Sequence, residues 1–357
     1  MERKETRVIR VGSVLIGGQN PVSIQSMNNT DTRDVESTQE QIGRLANAGC
    51  DITRVAIPDM EAARALKRIC RSSPIPVVAD IHFDYRLALE SIYNGANKIR
   101  INPGNIGSMD RLKQVADEAK KADIPIRVGV NSGSIHREFL DKWGGVNENS
   151  MVQSALQSIR QLEECGFDQI VVSIKASDPL LTIRTYRLLS TMVPYPLHIG
   201  VTEAGTPKEG IVRSAVGIGT LLAEGIGDTI RVSLTGDPVK EVECAMDILK
   251  SLHLRTVGIE IISCPTCGRT SVDLIHLAEQ AQERFKHIRE PVKLAIMGCA
   301  VNGPGEAREA DLGIAGGIGE YLLFSKGQIL RKVPEDKALE ELSLELERFL
   351  AERKSKT

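Results

Sequence analysis

The stretch Pro76-Val77-Val78-Ala79-Asp80-Ile81, followed by Leu87-Ala88-Leu89-Glu90-Ser91-Ile92-Tyr93-Asn94-Gly95 and then Lys98-Ile99-Arg100-Ile101-Asn102, decides the fold. A short β-branched run gives way to apolar residues at helical spacing, an Asn-Gly stop, and a second β-branched run. That is one β–α–β unit. Working outward, the same grammar recurs. Strand-like runs occupy Pro21–Met27, Asp51–Ile57, Pro125–Asn131, Gln169–Lys175, Pro196–Glu203 and Thr229–Thr235, which with the first two makes eight. Helical patterns lie between them and end at Ala48-Gly49, Cys165-Gly166 and Glu224-Gly225. Eight β/α units in about 250 residues are the size of a TIM (β/α)8 barrel. An open doubly wound sheet would also alternate. No G-x-G-x-x-G opens the first helix, which favours the barrel. An initial hairpin-like piece, Thr6–Ile16, is expected to plug its bottom.

After Leu254 the pattern changes to a strand at Gly258–Ser263, a helix at Val272–Ile288 and a strand at Val292–Met297. A glycine-rich segment, Gly313–Gly319, and an amphipathic helix carrying Leu339, Leu342, Leu346 and Phe349 follow. The expected organisation is therefore α/β, a barrel over residues 1–254 and a smaller α+β domain over 255–357. The chain's 357 residues agree with a count of roughly two domains at about 150 residues each.

Composition narrows the function. Hydrophobic residues make up 41% and charged residues 26%, so the chain can bury a core and is not disordered. With 45 basic against 47 acidic residues, no global field recruits nucleic acid or an anionic membrane. Aromatics at 3% also argue against a base-stacking surface. No apolar run approaches the roughly 20 residues that cross a bilayer. The charged start, Met1-Glu2-Arg3-Lys4-Glu5, does not resemble an export signal, and seven cysteines are an odd number for a disulfide framework. A cytoplasmic location is expected.

Three cysteines stand apart from the rest. Cys264-Pro265-Thr266-Cys267 and Cys299 each follow a strand, where thiolates can converge, and Glu306 lies seven residues beyond Cys299 in a Gly/Pro turn. Three thiolates favour a soft metal. Structural zinc prefers four closed ligands, and the second C-x-x-C pair is missing. An iron–sulfur cluster with a displaceable oxygen ligand, Glu306, fits the donor set, and zinc remains the alternative. Cys50, Cys70, Cys165 and Cys244 read as small buried hydrophobes.

The strand ends of the barrel carry a second cluster. Residues two apart share a face of a strand. This groups Asp80 with His82, Arg100 with Asn102, Arg127 with Asn131, Ser173 with Lys175, and Arg231 with Ser233. Arg54 adds a cation, and the seventh strand supplies His198, Thr202 and Glu203. Five cations (Arg54, Arg100, Arg127, Lys175 and Arg231) face two carboxylates, Asp80 and Glu203. Uncompensated buried charge costs several kcal/mol per ion. An anionic ligand such as a phosphate or diphosphate resolves that imbalance, and the openings at Gly205–Gly210 and Asp237-Pro238 offer backbone donors.

Both sites together resemble one family, the bacterial 4-hydroxy-3-methylbut-2-enyl diphosphate synthases. The resemblance rests on Cys264–Arg269 and Met297–Ala307, and in the barrel on Val78–Phe83, Ile99–Asn105, Arg127–Ser134 and Val201–Gly205. It implies a TIM barrel followed by an iron–sulfur domain. It also implies reductive ring opening and dehydration of 2-C-methyl-D-erythritol 2,4-cyclodiphosphate in isoprenoid biosynthesis, by an oxidoreductase acting on CH or CH2 groups. The implied cofactor is a [4Fe–4S] cluster on Cys264, Cys267, Cys299 and Glu306. The implied electron donor is flavodoxin or ferredoxin. The implied assembly is a homodimer in which one subunit's cluster domain faces the partner's barrel. Glu203 is then the expected proton donor, with His82 assisting or binding phosphate. The competing expectation is a zinc-stabilised barrel transferase that acts on a diphosphate substrate without redox chemistry.

Overall fold

The first strands form a hairpin, β1 (Ile9–Val11) and β2 (Val14–Ile16), paired antiparallel. Eight parallel strands follow: β3 (Ser23–Met27), β4 (Ile52–Ala56), β5 (Val77–Asp80), β6 (Lys98–Ile101), β7 (Ile126–Asn131), β8 (Ile170–Lys175), β9 (His198–Ile199) and β10 (Thr229–Ile230). They are ordered β8-β7-β6-β5-β4-β3-β10-β9, and a parallel bridge between Val172 and Leu197 closes the wall. The computed structural model describes residues 2–299 and 307–355. Its compact units divide between Arg255 and Thr256.

The wall explains the β-branched runs. Helices cover its outside, so outward Val and Ile residues are buried like inward ones. Ile42, Leu45, Leu66, Ile69, Val115, Leu162, Leu189, Leu221 and Leu249 form that outer layer with them. Many covering helices begin on a carboxylate or amide cap. Asp34, Asp59, Asp84, Asn147, Asp178 and Asp237 each accept a hydrogen bond from the first helical turn. Each cap stabilises its helix by about 1 kcal/mol. At the bottom, Val11 and Ile16 of the hairpin pack on Ile52 and Val78, so the plug is present. Asp228 ties the preceding chain down, accepting from Leu197 N (2.8 Å), Arg3 (2.9 Å) and Thr6 (3.1 Å).

Two strands are shorter than the sequence suggests. The seventh is laddered only at His198–Ile199, and Thr202 and Glu203 lie in the turn beyond it. The eighth is laddered only at Thr229–Ile230. Crowding at Gly200 accompanies this change, since a Cβ there would stand 2.3 Å from the Arg231 carbonyl oxygen. Between β8 and β9 a side chain replaces a rung of the ladder. Ile174 N–H donates to the Tyr186 hydroxyl (2.9 Å), which donates to the His198 carbonyl (2.6 Å).

The second unit is a five-stranded sheet ordered β11 (Ile259–Ser263), β12 (Val292–Met297), β13 (Leu312–Gly316), β14 (Glu320–Ser325), β15 (Gln328–Pro334). β11, β12 and β13 run parallel, and β13, β14 and β15 run antiparallel. The helices Leu274–Phe285 and Ala338–Lys354 bury Leu277, Phe285, Leu342 and Leu346 against it. The glycine-rich segment corrects the sequence reading, because it contains strand β13. Gly313 is there for space, as a Cβ would lie 2.4 Å from the ring of Phe324 on the paired strand.

Candidate active site

Alternation along β4 to β8 brings Arg54, Asp80, Arg100, Arg127, Ser173 and Lys175 to the barrel interior near its C-terminal strand ends, where barrels hold their active sites. Asp80 is the hub. Its Oδ1 receives Arg100 at 3.2 Å, and its Oδ2 lies 3.7 Å from Arg54 Nε and from His82 Nε2. Burial disfavours the charged carboxylate, but Arg54, Arg100 and Arg127 outweigh it and hold Asp80 at about 2. Arg54 also donates to Met27 Sδ at 2.8 and 3.2 Å, and burial lowers it to about 10.

Glycines make room for these long side chains. A Cβ on Gly129 would lie 2.4 Å from Arg100 Nε, and Arg100 donates to the Gly129 carbonyl at 3.3 Å. A Cβ on Gly200 would lie 2.8 Å from Lys175 Nζ. Lys175 meets His198 Nε2 at 3.3 Å, and His198 Nδ1 lies 3.4 Å from Thr229 Oγ1. His198 is fully buried behind Lys175. Desolvation first, then the charge of Lys175, pushes its imidazole well below the ordinary range, so it is neutral.

Arg127 is 1% exposed, and its Nε and Nη1 have no partner among the described residues. Arg231 pairs with Glu241 at 3.4 Å, from the first turn of the helix Pro238–Ser251. Glu241 also accepts from Ser26 (3.1 Å) and Leu234 N (3.0 Å). Sequence reasoning missed Glu241, because a glutamate in a first helical turn is ordinary. It also missed Lys98 on β6, which is buried on the inward face one step below Arg100. The interior thus holds six basic side chains (Arg54, Lys98, Arg100, Arg127, Lys175 and Arg231) against Asp80 and Glu241. Glu203, counted among the balancing carboxylates in the sequence reading, is exposed instead.

The remaining candidates lie around the rim. Asn102 is buried and accepts from Gly104 N at 3.3 Å, while exposed Asn131 caps the short turn Ser132–Ser134. Thr202 N–H donates to Ala176 O at 3.1 Å; Ser173 is buried and Ser233 half-buried. Glu203 has φ +52°, a left-handed conformation that costs a β-carbon residue about 1 kcal/mol or more. His82 is exposed beside Asp80. Asp237 caps its own helix and pairs with Arg44, so that opening is already satisfied. Thr206 makes no side-chain cap bond to the helix Pro207–Ala223 and leaves the first-turn N–H groups for other partners.

In the second unit, β11 and β12 are adjacent, with Ser263 opposite Ile296, so Cys264 and Cys299 emerge at neighbouring strand ends. Gly298 N–H donates to Cys264 Sγ at 3.2 Å, tying the two strand ends together. Exposed Cys267 is drawn below the usual thiol range by main-chain and then side-chain hydrogen bonding with Arg269. No group of three His, Cys, Asp or Glu side chains is gathered tightly enough for a metal among the described residues, and Glu306 lies outside them. Cys50, Cys70 and Cys244 behave as apolar filler, burial holding their thiols near 12, 12 and 11, and Cys165 is raised likewise. Among the described residues, no helix is long and apolar enough to cross a membrane.

Comparison with known proteins bears on both units. Residues 6–246 match the GcpE TIM-barrel domain, and residues 260–348 match the GcpE protein C-terminal domain. The 4-hydroxy-3-methylbut-2-en-1-yl diphosphate synthase (flavodoxin) of Caldanaerobacter subterraneus subsp. tengcongensis is 57% identical, over 98% of this chain and 99% of its own. The enzyme of the same name from Geobacter sulfurreducens is 56% identical over 98% and 99%. Among solved structures, the truncated 3-deoxy-D-arabino-heptulosonate 7-phosphate synthase from Thermotoga maritima is similar with a TM-score of 0.50 and 16% identity, over 70% of this chain and 94% of that one, which is a likeness of fold alone.

Proposed function

The chain belongs to the GcpE family, and from that membership we propose that it opens and reductively dehydrates 2-C-methyl-D-erythritol 2,4-cyclodiphosphate to 4-hydroxy-3-methylbut-2-enyl diphosphate. It is an oxidoreductase of isoprenoid biosynthesis, with flavodoxin as the electron donor that its relatives' names carry. Two electrons and one proton enter, a ring C–O bond breaks, and a hydroxyl leaves as water. The cyclic dianion becomes a trianionic diphosphate ester, so negative charge grows in the site as the ring opens. The non-redox zinc transferase is not favoured by this family.

The observation that carries the reading is the uncompensated cation cluster, above all Arg127, buried with two guanidinium nitrogens that have no partner among the described residues. In this reading Arg54, Arg100, Arg127, Lys175 and Arg231 hold the diphosphate and stabilise its added charge. Asn102, Asn131, Ser173, Thr202 and Ser233 supply neutral hydrogen bonds to the ligand, and His198 braces Lys175 from behind. Asp80 aligns the guanidinium groups of Arg54 and Arg100. Glu203, displayed on its left-handed turn, gives the proton to the departing hydroxyl. His82 contacts phosphate or assists that transfer.

The thiolate donors suit a soft metal, and Cys264, Cys267 and Cys299, with Glu306, would hold a [4Fe–4S] cluster. Such a cluster supplies single-electron transfer when bound. Glu306 would serve as its displaceable fourth ligand. The enzyme works as a cytoplasmic homodimer in this reading. Anaerobic incubation of the cluster-loaded protein with the cyclic diphosphate and reduced flavodoxin is expected to yield the linear diphosphate. No product with either flavodoxin or a chemical reductant would overturn the reading. For the fourth ligand, Glu306→Ala is expected to retain visible cluster absorbance but become oxygen-labile, and unchanged lability would reject the assignment.

A further inference from the structure

TIM-barrel interiors are ordinarily filled by layers of branched apolar side chains. Here polar side chains share the layer beneath the mouth with Ile52 and Val78. Lys98 is fully buried on the inward face of β6, beside Val78 of β5 in the ladder and two residues below Arg100. Its Nζ has no hydrogen-bond partner among the described residues. On β3, the buried Ser23 hydroxyl and both amide atoms of Gln25 are likewise unpaired among the described residues. The charges felt most strongly at Lys98 are Arg127 on β7 and Arg54 on β4, both positive. Neither carboxylate of this interior is free for it: Asp80 on β5 is engaged with Arg100 and Arg54, and Glu241 on the outer helix is engaged with Arg231 of β10. The neutral imidazole of His198 on β9 offers no compensating charge, and Lys175 on β8 beside it is a further basic group.

An ammonium group in that position is fully buried, has no anion beside it among the described residues, and lies in the field of two guanidinium groups. A lone buried charge of this kind is expelled or neutralised. For an amine the cheap route is loss of a proton, and burial and the two arginines push Lys98 well below its ordinary range. A diphosphate in the mouth reverses the sign of the local field. We infer that Lys98 is a proton-linked binding residue, uncharged in the empty barrel and protonated when the anionic substrate is held above it. The inference rests on the diphosphate reading of the mouth. It gives the mouth one more positive charge when the ligand is present and spares the free protein that charge when it is absent.

The linkage has a definite sign. A group whose pKa rises on binding takes up a proton, so affinity falls as pH increases between the free and bound values, by up to about tenfold per pH unit. The cyclic diphosphate is a clean probe, because each phosphorus carries one strongly acidic hydroxyl and the ligand's own charge is constant near neutrality. Calorimetric binding of the cyclic diphosphate to anaerobic, cluster-loaded enzyme without reductant, near pH 8 and in buffers of different ionisation enthalpy, counts the protons. The wild type is expected to take up roughly one proton or more per ligand. Lys98→Met is expected to bind with about one proton fewer and to unfold at a higher temperature, having lost a buried unpaired amine. Lys98→Gln provides the same comparison should the methionine variant fold poorly. Binding without proton uptake, or equal uptake in wild type and variant, overturns the role of Lys98. No binding at all overturns the diphosphate reading on which it rests.

Discussion

Gly129 stands where any β-carbon would press to 2.4 Å from Arg100 Nε, so the guanidinium that bridges β6, β7 and Asp80 exists only because β7 carries no side chain there. Gly129→Ala is expected to leave the barrel folded while pushing Arg100 off Asp80. Charge-assisted hydrogen bonds of this kind contribute about 1.5–3 kcal/mol, so KM for the cyclic diphosphate should rise by roughly ten- to a hundredfold. Steady-state kinetics beside a thermal melt test this, and an unchanged KM would remove Arg100 from the ligand site.

Arg127 is expected to trade stability for binding. Arg127→Met removes a buried cation with two nitrogens unpartnered among the described residues, so the variant should melt at or above the wild-type temperature. It should nevertheless bind the diphosphate at least about thirtyfold more weakly, the lower end of what truncating a buried charged partner costs. A parallel loss of both properties would show Arg127 to be a structural strut.

Asp80 makes stability depend on pH in a predictable direction. Its carboxyl is held at about 2 when folded, against an ordinary value of 3.8. A lowered value contributes stability that is complete above the unfolded value and is lost as pH falls through the folded one. The unfolding free energy should therefore drop between about pH 4 and 2 by about 2 kcal/mol from this group. Asp80→Asn should lack that component. Identical acid slopes for the two proteins would contradict the field that the three arginines impose.

Glu203→Gln separates proton delivery from binding. The side chain is exposed on a strained turn and holds no part of the wall together. Affinity for the cyclic diphosphate is expected to change little while kcat falls by about a hundredfold or more, the size of a general-acid contribution. A collapse of binding with kcat intact would make Glu203 a ligand-holding residue.

Thiol accessibility tests the cysteine assignment without any turnover. In chelator-treated protein, Cys267, exposed and lowered by Arg269, should alkylate first, while Cys50, Cys70 and Cys244 lag because burial raises their thiols. Loading with iron and sulfide should protect Cys264, Cys267 and Cys299 together. Protection of fewer than these three would rule out the ligand set.

The barrel was legible because its signal is periodic. Each of the eight β-branched runs became a laddered strand, and the paired residues of β5 to β8 set Asp80, Arg100, Arg127 and Lys175 on one side as alternation requires. What escaped were features defined by space and by partners distant in sequence. Gly129, Gly200 and Gly313 look like ordinary strand weakeners, yet each accommodates a specific side chain. Glu241 joins the site from a covering helix, Tyr186 joins the wall from another, and neither carries a local pattern announcing this. Lys98 carries no local signal of burial, and only the closed wall shows that it is fully buried.

Tyr186 gives the outer layer of the molecule a grip on its innermost charges. Its phenol belongs to the helix Pro179–Ser190, yet it sets the gap between the strands that carry Lys175 and His198. A shift of that helix by a fraction of a hydrogen-bond length changes the distance from amine to imidazole with no ladder rung in between to absorb it. Substitutions on the far side of that helix are a means of tuning ligand grip from outside, without touching the chamber itself.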